Sequence, residues 1–129
     1  LAESKDISYR ITLGNDLRLD FLEELDLISI VGNLLDNALE AAEKTEDGRY
    51  VECRMYMGNA GHFLVMEFCN GYVVPLLKDK DRYISTKRDG DSHGIGLHTV
   101  GKLVKKYAGI MRVEAGEREF SVKLIFTIK

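Results

Sequence analysis

Residues 24–44 read Glu-Leu-Asp-Leu-Ile-Ser-Ile-Val-Gly-Asn-Leu-Leu-Asp-Asn-Ala-Leu-Glu-Ala-Ala-Glu-Lys, and this stretch decides the fold. At 100° per residue its apolar side chains share one broad arc, which contains Leu27, Ile28, Val31, Leu34, Leu35, Ala38, Leu39 and Ala42. The opposite arc is polar and contains Asp26, Ser29, Asn33, Asp36, Asn37, Glu40 and Lys44. The pattern predicts a long amphipathic helix with one face on a core.

Strand patterns lie on both sides of this helix. Residues 7–13 alternate apolar and polar side chains, which is typical of a half-buried strand. Residues 50–57 and 62–69 are two apolar runs separated by the turn signal Gly58-Asn59-Ala60-Gly61, which predicts a hairpin. A turn centred on residues 59 and 60 predicts three pairs with apolar side chains on one face: Val51 with Phe68, Cys53 with Met66, and Met55 with Leu64.

The second half of the chain predicts a further helix and hairpin. Residues 71–93 show no periodicity, and such a long loop is usually a lid or a binding loop. Gly94-Ile95-Gly96 opens a helix that runs to Tyr107, and Gly109 is expected to end it as a C-cap. Residues 110–114 and 120–128 form the closing hairpin. Residues 1–129 are therefore expected to form a single α+β domain, a two-layer sandwich with a mixed, mostly antiparallel sheet packed on helices.

Composition excludes several classes of protein. The 129 residues include 18 basic and 21 acidic side chains, a net charge of −3, which argues against a nucleic-acid partner. No run of 18 apolar residues exists and the first residues do not resemble a signal peptide, so we expect a cytoplasmic chain without direct membrane contact. Cys53 and Cys69 have opposite parity in the predicted hairpin, so we expect free, reduced thiols.

Three polar elements are candidates for chemistry. Asn33 and Asn37 lie four residues apart on one helical face, where they form either a solvated stripe or a pair of neutral oxygen ligands suited to Mg²⁺. Asn70-Gly71 lies at the end of a predicted strand. It is either a plain turn or a site where the Asn70 amide contacts the edge of adenine. Gly94-Ile95-Gly96 is either a tight turn or an anion site at a helix start.

A dinucleotide-binding interpretation of the glycines is excluded by context. Gly90, Gly94 and Gly96 have the spacing of the short-chain dehydrogenase motif. That motif requires a buried strand directly before it, whereas residues 79–89 are strongly polar.

Taken in order, the three elements resemble the ATP-binding domain of the GHKL superfamily. Residues 33–42, Asn-Leu-Leu-Asp-Asn-Ala-Leu-Glu-Ala-Ala, are similar to the N-box of bacterial sensor histidine kinases, particularly the citrate-sensing and peptide quorum-sensing branches. Residues 93–97, His-Gly-Ile-Gly-Leu, resemble their second glycine box. The resemblance extends from about Ile7 to Ile128 and implies a Bergerat-type fold that binds ATP and Mg²⁺.

The resemblance also implies a role for individual residues. Asn37 would coordinate Mg²⁺ with support from Asn33, and Asn70 would replace the aspartate that recognises the adenine amino group. Lys87 would supply charge at the γ-phosphate. The other implied nucleotide contacts are Ala41, Val73, Ser85, Thr86, Gly94, Ile95, Gly96 and Leu97. Among these, Ser85 and Thr86 would close over the phosphates, Gly94 and Gly96 would offer backbone amides, and Ala41, Val73 and Leu97 would line the adenine pocket.

Two positions depart from the family pattern. Glu40 stands where many of these kinases have lysine or arginine, and Gly71-Tyr72-Val73 lacks the second glycine of the usual box. His62, His93 and His98 are expected to be ordinary histidines, because the family's phosphoacceptor lies on a separate helical hairpin. The chain is therefore expected to be the catalytic fragment of a larger, membrane-anchored protein.

The resemblance implies a protein histidine kinase domain that transfers the γ-phosphate of ATP to a histidine on a separate dimerisation domain, with a response regulator downstream. Two alternatives remain open. One is a nucleotide-gated interaction module without phosphotransfer, which Glu40 and the reduced glycine box motivate, and the other is a serine kinase of the anti-sigma-factor type. Acid-labile phosphate on histidine distinguishes the kinase from both.

Overall fold

The computed structural model describes residues 7–44, 49–71 and 91–128, and for residues 91–95 it describes the backbone. Within these ranges the chain forms five strands and two helices. They are β1 (Ser8–Leu13), α1 (Glu24–Glu43), β2 (Tyr50–Gly58), β3 (Phe63–Gly71), α2 (Asp91–Lys106), β4 (Ile110–Ala115) and β5 (Glu119–Thr127).

The five strands form one sheet in the order β1-β2-β3-β5-β4. β1 runs parallel to β2, while the other three pairs are antiparallel. Both helices pack on the same face, because buried residues of α1 and α2 join those of the central strands in one core. This core includes Ile30, Leu34, Leu64, Met66, Phe68, Val100, Val104, Leu124 and Phe126. The predicted α+β sandwich with a mostly antiparallel sheet is confirmed.

The predicted register of the first hairpin is wrong by two residues. β2 pairs with β3 so that Val51 lies opposite Asn70 and Cys53 opposite Phe68. The loop is longer than a two-residue turn: Asn59 and Ala60 have φ of 51° and 57°, and Gly61 has φ of 90°. Because side chains alternate with a period of two, a shift of two leaves every side chain on its predicted face.

Helix α1 is rotated relative to the predicted arc. Ile30 is fully buried and Asn37 is buried, although Asn37 belongs to the predicted polar arc and Ile30 was left out of the apolar one. Ile28, expected on the core, is 60% exposed. The rotation has a physical cause, since α1 packs against α2 as well as the sheet and its buried surface is set by both neighbours.

Both ends of α2 differ from the prediction. The helix begins at Asp91, three residues before Gly94. At its other end Ala108, and not Gly109, has the left-handed conformation, with φ of 57°. The Gly109 N–H donates to the Val104 carbonyl at 2.8 Å and the Ala108 N–H to Lys105 at 2.9 Å, which is a Schellman motif.

Gly109 is instead required by close packing. A Cβ at this position would lie 2.8 Å from Phe126 Cδ1 and 3.0 Å from the Ile125 carbonyl oxygen. Phe126 is fully buried, so its ring has no free space into which it can move. The glycine therefore allows the chain that leaves α2 to run directly against β5.

The alternation in β1 predicts a half-buried strand, but its apolar side chains are exposed. Tyr9, Ile11 and Leu13 are 59% to 66% exposed. They lie opposite Val51, Cys53 and Met55 of β2, which face the helices. α1 packs on β2 and β3, and therefore the edge strand lies beyond its reach.

The two cysteines are free, as predicted. Cys53 is buried on the helix side of the sheet, and Cys69 lies on the opposite face. Burial raises the pKa of the Cys69 thiol to about 11, with a further contribution from the charge of Glu119. Burial also raises the pKa of Cys53, so both side chains are thiols at neutral pH.

Candidate functional site

The candidate site lies where α1 approaches α2. Gly96 is in the second turn of α2, and a Cβ placed there would lie 3.3 Å from Oδ1 of Asn33 on α1. The absence of a side chain at position 96 thus gives the Asn33 amide its space between the two helices. The sequence prediction that the first asparagine and the glycine pair belong to one place is consistent with this contact.

Asn37, one helical turn after Asn33, is a buried polar residue with an unsatisfied acceptor. Its side chain is 6% exposed, and Oδ1 has no hydrogen-bond partner in the described part of the chain. A buried amide oxygen without a donor costs about 1–3 kcal/mol, so such groups are rare, and binding of an ion is one of the roles that accounts for them. An oxygen ligand of this type suits Mg²⁺, and the donor chemistry therefore fits the predicted metal role.

The Asn33 amide is oriented by its own helix. Its Nδ2 group donates to the Ser29 carbonyl at 2.8 Å and to Ser29 Oγ at 3.2 Å. Sequence analysis assigned no role to Ser29 beyond the polar arc. The spacing of four residues was the available signal, because side chains at i and i+4 are neighbours on a helix.

Asn70 is the second polar side chain that is buried among the described residues, with 1% exposure. It lies at the end of β3, opposite Val51 and Phe120, so its side chain faces the helices. Its Nδ2 group donates to the Gly71 carbonyl at 2.9 Å. This bond orients the amide and leaves its oxygen as the end that can accept a hydrogen bond from a ligand.

The glycines of the second box lie inside α2. The amides of the first three residues of an α-helix lack an intrahelical acceptor, which in a helix starting at Asp91 are those of residues 91–93. Gly94 follows this set directly, and Gly96 lies two residues further along. Ala41 is buried in α1, and Leu97 packs partly buried against the core.

Several predicted contacts fall outside the described residues. These are Val73, Ser85, Thr86 and Lys87, and also the side chain of Ile95. Across ranges 7–44, 49–71 and 91–128, no group of three or more His, Cys, Asp or Glu side chains is placed to hold a metal. Neither described helix is long and apolar enough to cross a membrane.

A second polar cluster joins the opposite end of the helix pair. We call it the Asp26 cluster; it consists of Glu23, Asp26, Lys106 and Tyr107. Lys106 Nζ lies 2.7 Å from Asp26 Oδ2 and 3.4 Å from Glu23 Oε1. The Tyr107 hydroxyl accepts a hydrogen bond from the Glu23 N–H at 3.0 Å and donates to Asp26.

The Asp26 cluster replaces a conventional helix cap. Glu23 is the N-cap of α1 but makes no side-chain capping bond, so the Tyr107 hydroxyl satisfies its backbone amide instead. The hydrogen bond from Lys106, followed by that from Tyr107, holds the pKa of Asp26 below its ordinary value. These contacts leave no local signal in the sequence, because the residues are about 80 positions apart in the chain.

The face of the sheet away from the helices carries a separate charged surface. A depression of about 210 Å³ there is lined by Glu67, Cys69, Arg112, Glu114, Ser121, Val122 and Lys123. Glu67 forms ion pairs with Arg54 and Lys123 and accepts a bond from Tyr56. This surface is on the other side of the sheet from the two asparagines of α1.

Comparison with known proteins identifies the family. A family model described as a GHKL domain matches residues 22–127. The sensor histidine kinase DpiB of Escherichia coli strain K12 is 34% identical over 98 residues, covering 72% of this chain. The chain spans 18% of the length of that curated relative.

Solved structures have the same fold. The catalytic domain of histidine kinase ThkA superposes with a TM-score of 0.67 at 17% identity, covering 94% of this chain and 78% of that one. Histidine kinase AdeS of Acinetobacter baumannii gives a TM-score of 0.63 at 8% identity, covering 98% and 57%. This chain belongs to the GHKL family, and its fold is that of histidine kinase catalytic domains.

Proposed function

We propose that the chain binds ATP with Mg²⁺ between α1 and α2 and is the catalytic domain of a sensor histidine kinase. The observation that carries the proposal is the buried, unsatisfied Oδ1 of Asn37. A metal cation, or a water molecule bound to one, would satisfy an acceptor that has no donor among the described residues. Its membership of the GHKL family supports the same ligand.

Each part of the site would have a distinct task. Asn37 and Asn33 would hold Mg²⁺, which when bound offsets the negative charge of the phosphates. The amides at the start of α2 would face the phosphates, since a helix N-terminus attracts anions. Asn70 would accept a hydrogen bond from the adenine amino group.

The residues outside the described ranges would complete the site. Lys87 would supply charge at the γ-phosphate, Ser85 and Thr86 would close over it, and Val73 would join Ala41 and Leu97 around adenine. In such a site the protein contributes mainly positioning and charge, and the attacking imidazole comes from another domain.

The remaining parts of the proposal concern the whole protein. We propose that residues 1–129 form one domain of a longer, membrane-anchored kinase and lie in the cytoplasm. The acceptor histidine would be on its helical dimerisation domain, and a response regulator would receive the phosphate. Similarity to a sensor histidine kinase that is much longer than this chain supports this arrangement.

Replacing Asn37 tests the binding site. Asn37→Ala is expected to abolish Mg²⁺-dependent ATP binding in isothermal calorimetry while circular dichroism shows an intact fold. Asn15→Ala, which changes an exposed asparagine in the turn after β1, is the matched control and should bind as the wild type does. Unchanged ATP affinity in Asn37→Ala would remove the metal-ligand assignment.

A second experiment tests phosphotransfer itself. The chain is incubated with radiolabelled ATP, Mg²⁺ and the helical dimerisation domain of the same protein, and the labelled product is exposed to acid. Acid-labile label on histidine is expected. Binding of ATP without any label would favour a nucleotide-gated interaction module, and acid-stable label on serine would favour a serine kinase.

A further inference from the structure

The amide of Asn33 is held at its nitrogen end by Ser29. Nδ2 donates to the Ser29 carbonyl oxygen at 2.8 Å and to Ser29 Oγ at 3.2 Å. A primary amide carries two N–H donors, and Ser29 provides an acceptor for each. The nitrogen end of Asn33 therefore faces back along α1 and is not available to a ligand.

The oxygen end of the same amide faces α2. Oδ1 lies 3.3 Å from the point that a Cβ on Gly96 would occupy. The neighbouring Asn37 Oδ1 has no hydrogen-bond partner among the described residues. Two acceptors one turn apart thus point to a ligand that carries positive charge or donors.

Amide orientation decides whether this pair can attract a cation. The oxygen and nitrogen of an asparagine amide are similar in size, so hydrogen bonds to neighbours determine which end faces a site. A flipped Asn33 would present two N–H groups, which repel a cation. The Ser29 carbonyl oxygen opposes the flip, because it can only accept, and its 2.8 Å bond would be lost if Oδ1 took the place of Nδ2. The Ser29 hydroxyl adds a second bond to the nitrogen end.

We propose that Ser29 is a positioning residue for the metal-nucleotide site and acts by holding the Asn33 oxygen toward α2. The inference rests on the proposed function, since it assigns to that site a residue that does not itself touch the ligand. It also gives a role to the hydroxyl group at position 29. A serine one turn before Asn33 adds a second acceptor to the backbone carbonyl that any residue there supplies.

Ser29→Ala and Ser29→Thr test the proposal on the whole chain. Affinity for ATP is measured by calorimetry, once with Mg²⁺ and once with EDTA. Ser29→Ala removes one of two hydrogen bonds, so the affinity for Mg²⁺-ATP should fall about fivefold, as expected from a single neutral hydrogen bond. Ser29→Thr keeps the hydroxyl and should restore affinity to within about twofold of the wild type.

The controls separate positioning from folding. Ser121→Ala changes a serine on the opposite face of the sheet and should bind Mg²⁺-ATP as the wild type does. ATP affinity in EDTA and the melting temperature should be unchanged in Ser29→Ala. Equal Mg²⁺-ATP affinity in Ser29→Ala and wild type would overturn the inference, as would an equal loss with and without Mg²⁺. A wild-type chain that binds no ATP would overturn the proposed function, and this inference with it.

Discussion

The two ends of the α1–α2 helix pair differ in how their polar groups are paired. In the Asp26 cluster the carboxylate of Asp26 has both Lys106 and Tyr107 as partners. At the candidate site Asn37 Oδ1 has none among the described residues. Paired polar groups stabilise a fold, whereas an unpaired buried acceptor costs stability. The difference agrees with the proposal above, in which one end joins the helices and the other binds a ligand.

The largest expected effect comes from Asn37→Leu, which removes the unpaired oxygen but retains most of the volume. We expect the affinity for Mg²⁺-ATP to fall about a hundredfold, because a hydrogen-bonding or metal-ligating group is lost. The melting temperature should stay the same or rise, since the cost of the unsatisfied amide disappears. Calorimetry and thermal unfolding measure the two quantities. A clear fall in melting temperature would mean that Asn37 serves the fold.

Gly109→Ala should lower the stability of the fold and leave Mg²⁺-ATP affinity unchanged, which is the reverse of Asn37→Leu. The change acts at the end that carries the Asp26 cluster. Its Cβ would lie 2.8 Å from buried Phe126, and overpacking of this kind costs about 1–3 kcal/mol in the free energy of unfolding. Urea denaturation measures the change. Ala108→Gly is the matched control, because relieving the left-handed φ of 57° should stabilise the chain by up to about 1 kcal/mol. Equal stability of the two variants would contradict the packing account.

Tyr107→Phe should destabilise the chain less than Gly109→Ala. The change deletes a hydroxyl that accepts from the Glu23 amide and donates to Asp26, but leaves the ring in contact with Phe21 and Phe126. The melting temperature should fall, while Mg²⁺-ATP affinity stays at the wild-type value. A loss of affinity with no change in melting temperature would show that this end takes part in binding.

The smallest effect is the pH dependence of the Asp26 cluster. The folded-state pKa of Asp26 lies below 3.8. The Asp26 ion pair therefore contributes fully to the stability of the fold above pH 3.8, and this contribution is lost as the pH falls through the folded-state pKa. The difference in melting temperature between wild type and Asp26→Asn should therefore be largest near neutral pH and shrink toward zero in acid. Added salt should also reduce it, because Lys106 is half exposed. A difference that grows in acid would contradict the pairing.

Much of the fold could be predicted, because the helices and strands follow from local patterns of apolar and polar residues. The alternation in residues 50–57 and 62–69 placed every side chain of the hairpin on its observed face, although the register was wrong by two. The loop conformation caused this error, since the positive φ angles at residues 59–61 leave only a weak trace in sequence. The exposure of β1 was also unpredictable, because it depends on where α1 lies over the sheet.

The residues of the candidate site could be predicted from motifs, but their burial and contacts could be predicted only in part. Asn33, Asn37, Asn70 and the glycines follow from their spacing and from resemblance to the GHKL superfamily. The burial of Asn37 was not predictable, because the packing of α2 rotates α1 away from its simplest amphipathic arrangement. The contacts of the Asp26 cluster join residues about 80 positions apart, so no local sequence pattern predicts them.

By itself, the amino-acid sequence determined the secondary structure, the two faces of each central strand and the family, because these depend on periodicity and on short motifs. Only the tertiary structure decided which polar groups are satisfied and which are not. Whether an amide oxygen has a donor depends on the three-dimensional approach of α1, α2 and β3, and that approach is set by side-chain packing across the whole core.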